Sequence, residues 1–291
     1  MTGIGLSLEI AQQAVRRLSE HQIPVVASHL AAEEFSRIPG FLRVSPTSST
    51  YGTALAAYVK PTAHTAAIVQ DQKPGDLYPK TLATAFTTKF ADATHRLAGR
   101  IEPFNSGLPA VENTFLQMMP NICGDNPDAI YFAGREEHLA SFVAQPAQRR
   151  GLQANVTVLG PGLAHPQAWV SEPQLFGKAA VASLDEPSCT DCFKAVFPRD
   201  RLDDSIAILA HDAVLTVVWA IRGLPQSSPA NVTAQDVLQA KNRLHDQLAV
   251  PRASGPISFD EQGDPVHKAV PILRMRVDAT PEFVELPDPA A

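Results

Sequence analysis

The chain has 291 residues, of which 45% are hydrophobic, with a formal net charge of −6 and a pI near 5.8. That length suffices for two compact lobes, and that apolar content excludes a disordered chain. No basic stripe is present to meet nucleic acid, and the longest apolar stretch, around Ile206 to Ile221, is interrupted by His211 and Asp212, so it reads as a buried helix and not a membrane span.

Taken in order, Gly3-Ile4-Gly5-Leu6 reads as a strand end and Ser7 as the N-cap of a helix to about Glu20, with Ile10, Ala14, Val15 and Leu18 on its apolar face. Ile23 to Ala27 is the next strand, with Ser28-His29 just past its end. Phe41 to Val44 is a short extended piece, broken by Ser45-Pro46-Thr47-Ser48-Ser49, and Tyr51 to Val59 is a helix.

The stretch Thr65 to Tyr78 organises the middle of the chain. Its apolar run Ala66-Ala67-Ile68-Val69 stops at Gln70-Asp71, a Pro-Gly turn comes next, and Asp76-Leu77-Tyr78 opens a helical pattern from about Pro79 to Leu97. This is the pattern of a buried parallel strand, a polar loop at its carboxyl end and a helix start. In open α/β sheets the ligand lies beyond such strand ends, which puts Asp71, Asp76 and Tyr78 where a ligand would be. Further strands are expected at Gly99 to Pro103, Ala129 to Ala133, Val156 to Leu159 and Ala179 to Leu184. Between them lie a helix from Val111 to Met119, ended near Pro120, and, after Gly134-Arg135-Glu136-Glu137, another to about Arg150 that Pro146 must kink or stop early. Long helices are expected at Leu202 to Arg222 and Thr233 to Leu248, and a last strand at Val270 to Val277. The regular alternation predicts an α/β chain with a parallel, doubly wound sheet.

Few motifs carry chemistry. Cys189-Thr190-Asp191-Cys192 is a CxxC, but a zinc site needs a second ligand pair and Asp185-Glu186-Pro187 is no redox-helix setting. A local disulfide in an exported protein, or two free thiols, accounts for it better; with only three cysteines there is no disulfide scaffold. His211-Asp212 reads as a core polar pair, and the nine histidines show no metal-ligand spacing. There is no GxSxG, P-loop or GxGxxG. Neither a catalytic residue, a metal nor a cofactor is expected.

Several pieces, in this order, resemble the type I periplasmic binding proteins, specifically the branched-chain amino acid (Leu/Ile/Val) solute-binding type. They are Gly3 to Ser7, Ile23-Pro24-Val25-Val26, Phe41 to Pro46 with Tyr51-Gly52, Ile68 to Tyr78, and Asn126 to Gly134. His211-Asp212-Ala213-Val214 and Gly255 to Asp264 complete the set. The resemblance implies two Rossmann-like lobes with parallel doubly wound sheets, joined by three crossovers, with the ligand clamped between them. Lobe one would hold residues 1–60 and 186–252, lobe two residues 61–185 and 253–277, and 278–291 would be a loose tail. Family members carry about a hundred residues before the position of Gly3, so lobe one is expected to be incomplete, as a piece of a longer protein or a chain whose first strands come from elsewhere.

The family pattern also implies contact residues. Ser7 matches a serine that donates to the ligand carboxylate, a role compatible with N-capping. Ser28 or His29 would stand in for a threonine hydroxyl, because Ala31 occupies the threonine position. Tyr78 corresponds to a tyrosine that stacks on the ligand, and Asp71 or Asp76 could bind an ammonium, Asp76 reading also as a helix N-cap. Arg135 falls where another tyrosine sits and favours an anionic ligand group, with Glu136 as its alternative partner. No acid stands near Gly162, the family's ammonium ligand position, so the ligand chemistry is expected to differ from a plain branched-chain amino acid binder. The implied function is binding of a small polar solute, with no chemistry, as the solute-binding part of an ABC transporter. A ligand-sensing domain of a larger protein and a degenerate interaction module without ligand are the alternatives. An ABC permease or an attached signalling domain would be the macromolecular partner. MTGIGLSLEIAQQ shows no signal peptide pattern. An exported fragment would work at the cell surface or in the periplasm, and a chain starting at Met1 in the cytoplasm.

Overall fold

In this computed structural model the described residues are 8–143, 156–161, 179–182, 205–224, 232–241, 254, 257–266, 268, 270, 272–275 and 281–285. The chain divides into two units: Met1–Thr47 with Leu184–Ala269, and Ser48–Ser183 with Val270–Pro289.

In the first unit, helix α1 (Leu8–Glu20) buries Ala11 and Val15, spaced four apart, against β1 (Val25–Ala27) and the neighbouring loop. Ile10, expected on that face, lies one step off the stripe and is 68% exposed. Strand β1 pairs in parallel with β2 (Phe41–Arg43), Val26 opposite Leu42, and among the described residues these two strands form the unit's sheet. Gly263, at φ +84°, ends the Asp260–Asp264 turn against β2, where a Cβ would run into the Phe41 carbonyl. Helix α6 (Ser205–Arg222) packs on β1 and beside α7 (Ala234–Lys241). Asp212 is fully buried there; it accepts the Ser254 N–H at 2.8 Å and hydroxyl at 2.5 Å, and Lys268 Nζ donates to that same hydroxyl at 2.6 Å. His211 Nδ1 lies 3.0 Å from Asp212 Oδ1, so the His-Asp dipeptide is part of a core polar network, as its apolar surroundings in the sequence suggest.

The second unit carries an eight-stranded sheet in the order β10-β9-β8-β7-β6-β3-β4, with β5 also pairing β3. Its strands are β3 (Thr65–Asp71), β4 (Arg96–Leu97), β5 (Glu102–Phe104), β6 (Ala129–Ala133), β7 (Thr157–Pro161), β8 (Ala179–Ala182), β9 (Ile272–Met275) and β10 (Pro281–Glu285). Pairing is parallel from β4 to β8, but β9 runs antiparallel to both β8 and β10, so the sheet is mixed and not wholly parallel. Strand β10 falls in the stretch expected to be loose. An outer strand tolerates a leading proline, and β9 offers it an edge.

Helices α2 (Ser48–Val59) and α3 (Tyr78–Phe90) lie side by side. Gly52 lets their backbones meet, since a Cβ there would come within 2.6 Å of the Leu82 carbonyl. On this side Phe86 stacks on Tyr131 of β6 at 4.1 Å. Helix α2 also contacts β7 and β8, so it belongs with this unit, whereas the sequence reading places residues to 60 in the first. Residues 257–266, read into lobe two, are held to β2 of the first unit by the Gly263 turn. The second core joins Val69, Phe104, Ile130, Phe132 and Val158 to α4 (Val111–Asp125) and α5 (Glu136–Val143).

Two helix ends differ from expectation. Helix α4 runs through Pro120, because the turn around it buries Met119 and Ile122, which outweighs one lost backbone bond; Asn126, in the left-handed region, closes it. Helix α3 stops at Phe90, not Leu97, because the Asp92 carboxylate captures the Thr94 N–H at 2.7 Å and the His95 N–H at 2.9 Å and turns the chain into β4.

Candidate functional site

Strands β3 and β6 are neighbours in parallel register, Gln70 opposite Ala133, so the residues that follow each strand emerge side by side. After β6 comes Gly134, packed against the Phe132 and Phe104 rings, and then Arg135 at the start of α5. After β3 come Asp76 and Tyr78. Arg135 Nη2 donates to Asp76 Oδ2 at 2.7 Å, and its Cζ stands 5.4 Å from the Tyr78 ring centroid. Asp76 Oδ1 accepts the Tyr78 N–H at 3.2 Å, so Asp76 serves the first turn of α3 although Leu77 occupies the cap position itself. The side chain of Asp76 is 7% exposed and that of Arg135 33%. The carboxylate is the buried member of the pair and the arginine side chain the more exposed one, with Tyr78 as a flat partner.

Asp71 does something else. It is the last residue of β3 rather than part of a loop, 1% exposed, and its Oδ1 accepts the N–H groups of Lys73 and Ser106, each at 3.0 Å. One oxygen thus braces the loops that follow β3 and β5, while Oδ2 meets no donor among the described residues. Glu136 opens α5, and its side chain lies outside the described residues; the partner of Arg135 seen here is Asp76.

In the first unit Ser28, buried, and His29, half-buried, follow β1, as expected. Ser7, Cys189, Cys192 and Gly162 lie outside the described residues. The two units thus hold separate subsets of the expected contacts: Asp76, Tyr78 and Arg135 converge in the second, with Asp71 beneath as a brace, and Ser28 and His29 share one loop of the first.

Sequence reasoning missed Tyr131. Its ring is wholly buried in β6, and burial, with Tyr78 as a second cause, pushes its hydroxyl well above the usual phenol range. That hydroxyl meets no partner among the described residues. Nothing in Ala-Ile-Tyr-Phe-Ala distinguishes such a tyrosine from a strand phenylalanine. It missed Arg43 too, a fully buried guanidinium on β2. A separate groove of about 630 Å³ runs between α2 and α3, lined by Ser49, Thr53, Lys80, Thr81, Thr84 and Thr88 among others; it follows the helix flanks and not the strand ends. No group of three or more His, Cys, Asp or Glu among the described residues is placed to hold a metal ion. No helix among them is long and apolar enough to cross a membrane.

This is the fold of the type I periplasmic binding proteins. Individual solved structures make the likeness concrete. A leucine binding protein, LivK, from Thermotoga maritima matches with a TM-score of 0.80 at 18% identity, over 99% of this chain and 79% of that one. The branched-chain amino acid transporter substrate binding protein LivJ from Streptococcus pneumoniae, in complex with isoleucine, matches with a TM-score of 0.73 at 18% identity, over 98% and 78%. A solute binding protein of an ABC transporter from R. palustris, in complex with benzoate, matches with a TM-score of 0.72 at 16% identity, over 98% and 77%. No family model matches the chain, and no curated protein does.

Proposed function

We propose that this chain binds a small solute carrying a carboxylate, without catalysing a reaction, and serves as the solute-binding component of an ABC transporter outside the cytoplasm. The observation that carries this reading is the one-third-exposed Arg135 side chain, paired with Asp76 and flanked by Tyr78 at the carboxyl ends of β3 and β6. A planar guanidinium gives a carboxylate two parallel donors, and an aromatic ring beside it suits an apolar or aromatic solute body. Among proteins of this fold, one structure holds isoleucine and another benzoate, both carboxylates, which supports that class. Arg135 and Tyr78 are the contacts assigned to the solute in the second unit, and the loop of Ser28 and His29 is the first unit's own candidate contact.

The test is a calorimetric and thermal-shift titration with leucine, isoleucine, benzoate and their amides. A carboxylate that binds only the folded chain, present at about a hundred times its dissociation constant, adds roughly 2.7 kcal/mol of stability. Binding of an acid but not of its amide, lost in Arg135→Met, is the expected result. Equal binding of acid and amide, or full affinity in Arg135→Met, would remove Arg135 from the site. Silence across the panel from a folded chain would remove the small-carboxylate reading.

A further inference from the structure

Four contacts converge on the guanidinium of Arg43, a fully buried side chain on β2. Nη1 donates to the carbonyls of Leu30 at 2.7 Å and Ala32 at 2.9 Å, Nη2 donates to Ser36 Oγ at 2.7 Å, and Nε faces Asp264 Oδ1 at 2.7 Å. The Phe41 ring lies 5.2 Å from Cζ, and the Arg43 main-chain N–H donates to the Gly263 carbonyl at 3.1 Å. One side chain thereby ties two segments far apart in sequence: the loop that follows β1 and the Asp260–Asp264 turn. Burial works against this arrangement. Desolvation is the largest influence on both groups, lowering the Arg43 pKa and raising that of Asp264, with their mutual attraction opposing it in each case. A buried charge pair of this kind is costly unless its polar atoms are met: Leu30, Ala32 and Ser36 meet the two terminal nitrogens, while Nε and Asp264 Oδ1 face each other as charges without an aligned hydrogen bond.

The loop so held is the one that begins with Ser28 and His29, beyond the carboxyl end of a parallel strand. Among its own backbone bonds are Phe35 N–H to Ala32, Ser36 N–H to Glu33 and Ile38 N–H to Phe35, all beyond Ser28 and His29. The guanidinium adds a hold nearer to them, taking the Leu30 and Ala32 carbonyls with a planar donor group that a lysine cannot copy. We infer that Arg43 is a positioning residue for solute binding, setting the shape of the Ser28–Ser36 loop through Leu30, Ala32 and Ser36, with Asp264 as its anchor. This rests on the solute-binding reading above, and Arg43 itself touches no solute.

The experiment compares the full chain with Arg43→Lys and Asp264→Asn. Amide hydrogen exchange is followed peptide by peptide, and leucine, isoleucine and benzoate are titrated by calorimetry. Arg43→Lys keeps a charge opposite Asp264 but loses the fork. It should speed exchange across Leu30–Ile38 by about tenfold or more, leave β3 and β6 of the second unit unchanged, and weaken the probe that binds by about tenfold, or 1.4 kcal/mol. Asp264→Asn, which keeps the fork but removes the anchoring charge, should give the same pattern more weakly, and it decides the matter if Arg43→Lys does not fold. Unchanged exchange across Leu30–Ile38 in the variants overturns the loop-holding role. Faster exchange there with undiminished probe affinity leaves a purely structural arginine and overturns the positioning role. If no probe binds the unaltered chain, the solute-binding reading falls and takes the positioning role with it, while the exchange data still report whether Arg43 holds the loop.

Discussion

Asp128, just before β6, and Thr65, the first residue of β3, lock the starts of the two strands together. Asp128 Oδ2 accepts both the N–H and the hydroxyl of Thr65, each at 2.9 Å, and the Asp128 N–H returns to the Thr65 hydroxyl at 3.1 Å. A third donor, the His64 N–H, reaches the same oxygen at 2.9 Å. The pairing of Ala66 with Ala129 follows directly, and so does the register at the far end, where Asp76 and Arg135 meet.

That clasp makes part of the stability pH-dependent. Burial alone would raise the Asp128 carboxyl, but the bonds from Thr65 and His64 outweigh it and hold the group below its ordinary value of 3.8. A depressed carboxylate contributes stability that is present above the unfolded value and lost as pH falls through the folded one. Asp128→Asn should therefore melt lower than the unaltered chain at pH 7, and the gap should narrow on acidification below about pH 4. Melting curves from pH 3 to 8 check this, and a gap constant with pH would contradict it.

Asp71 should behave as a brace. Asp71→Ala leaves the N–H groups of Lys73 and Ser106 without their acceptor and should cost about 1 kcal/mol in urea unfolding. Asp71→Asn keeps an oxygen at the same place and should cost less. If the two cost the same, the carboxylate charge and not the acceptor is what matters.

Gly52→Ala should destabilise although alanine is the better helix former. The new methyl meets the Leu82 carbonyl and the Ala85 Cβ, at 2.6 and 3.0 Å, and backbone cannot step aside as a side chain would. The expected loss is about 1–3 kcal/mol, as for other overpacked sites. Gly75→Ala is the control: its surroundings are open, so only the left-handed backbone, φ +80°, should count, at about 1 kcal/mol. Denaturant midpoints give both values, and a Gly52→Ala chain at least as stable as the parent would show that α2 and α3 can separate.

Tyr131→Phe removes a buried hydroxyl with no partner among the described residues. Stability should hold or rise, by up to about 1 kcal/mol, with the stacking on Phe86 kept. A loss of more than about 1 kcal/mol would mean the hydroxyl has a partner in solution.

Where an element's burial shows in its own residues, it was legible in the sequence. Ala129–Ala133 is a run of apolar residues buried on both faces, bounded by Asp128 and Gly134, and the strand has those bounds. Helix α4 was cut short because the reason it passes Pro120 lies in another element, the sheet that Met119 and Ile122 cover. The strand at Pro281–Glu285 was hidden for a like reason: its stability comes from the edge of β9 and not from its own composition. Among candidate site residues, the placement of Asp76, Tyr78 and Arg135 was legible, because each follows a strand end. Their pairing was not, since 59 positions separate Asp76 from Arg135 and only strand order makes them neighbours. Arg43 was invisible because Phe-Leu-Arg-Val gives no sign that its charge points inward, toward carbonyls that precede it by 11 and 13 positions.

Strand β10 has a consequence for self-association. A sheet whose outer strand is long, flat and apolar invites a second molecule to dock edge to edge. Among the described residues the outermost strand on that side is five residues, Pro-Glu-Phe-Val-Glu, with a proline that has no N–H to give and two carboxylates in so short a span. The segment doubles as a gatekeeper: it ends the hydrogen-bonding ladder on terms that discourage another chain from continuing it, and a chain cut before Pro281 would expose the edge of β9 to fibrillar growth.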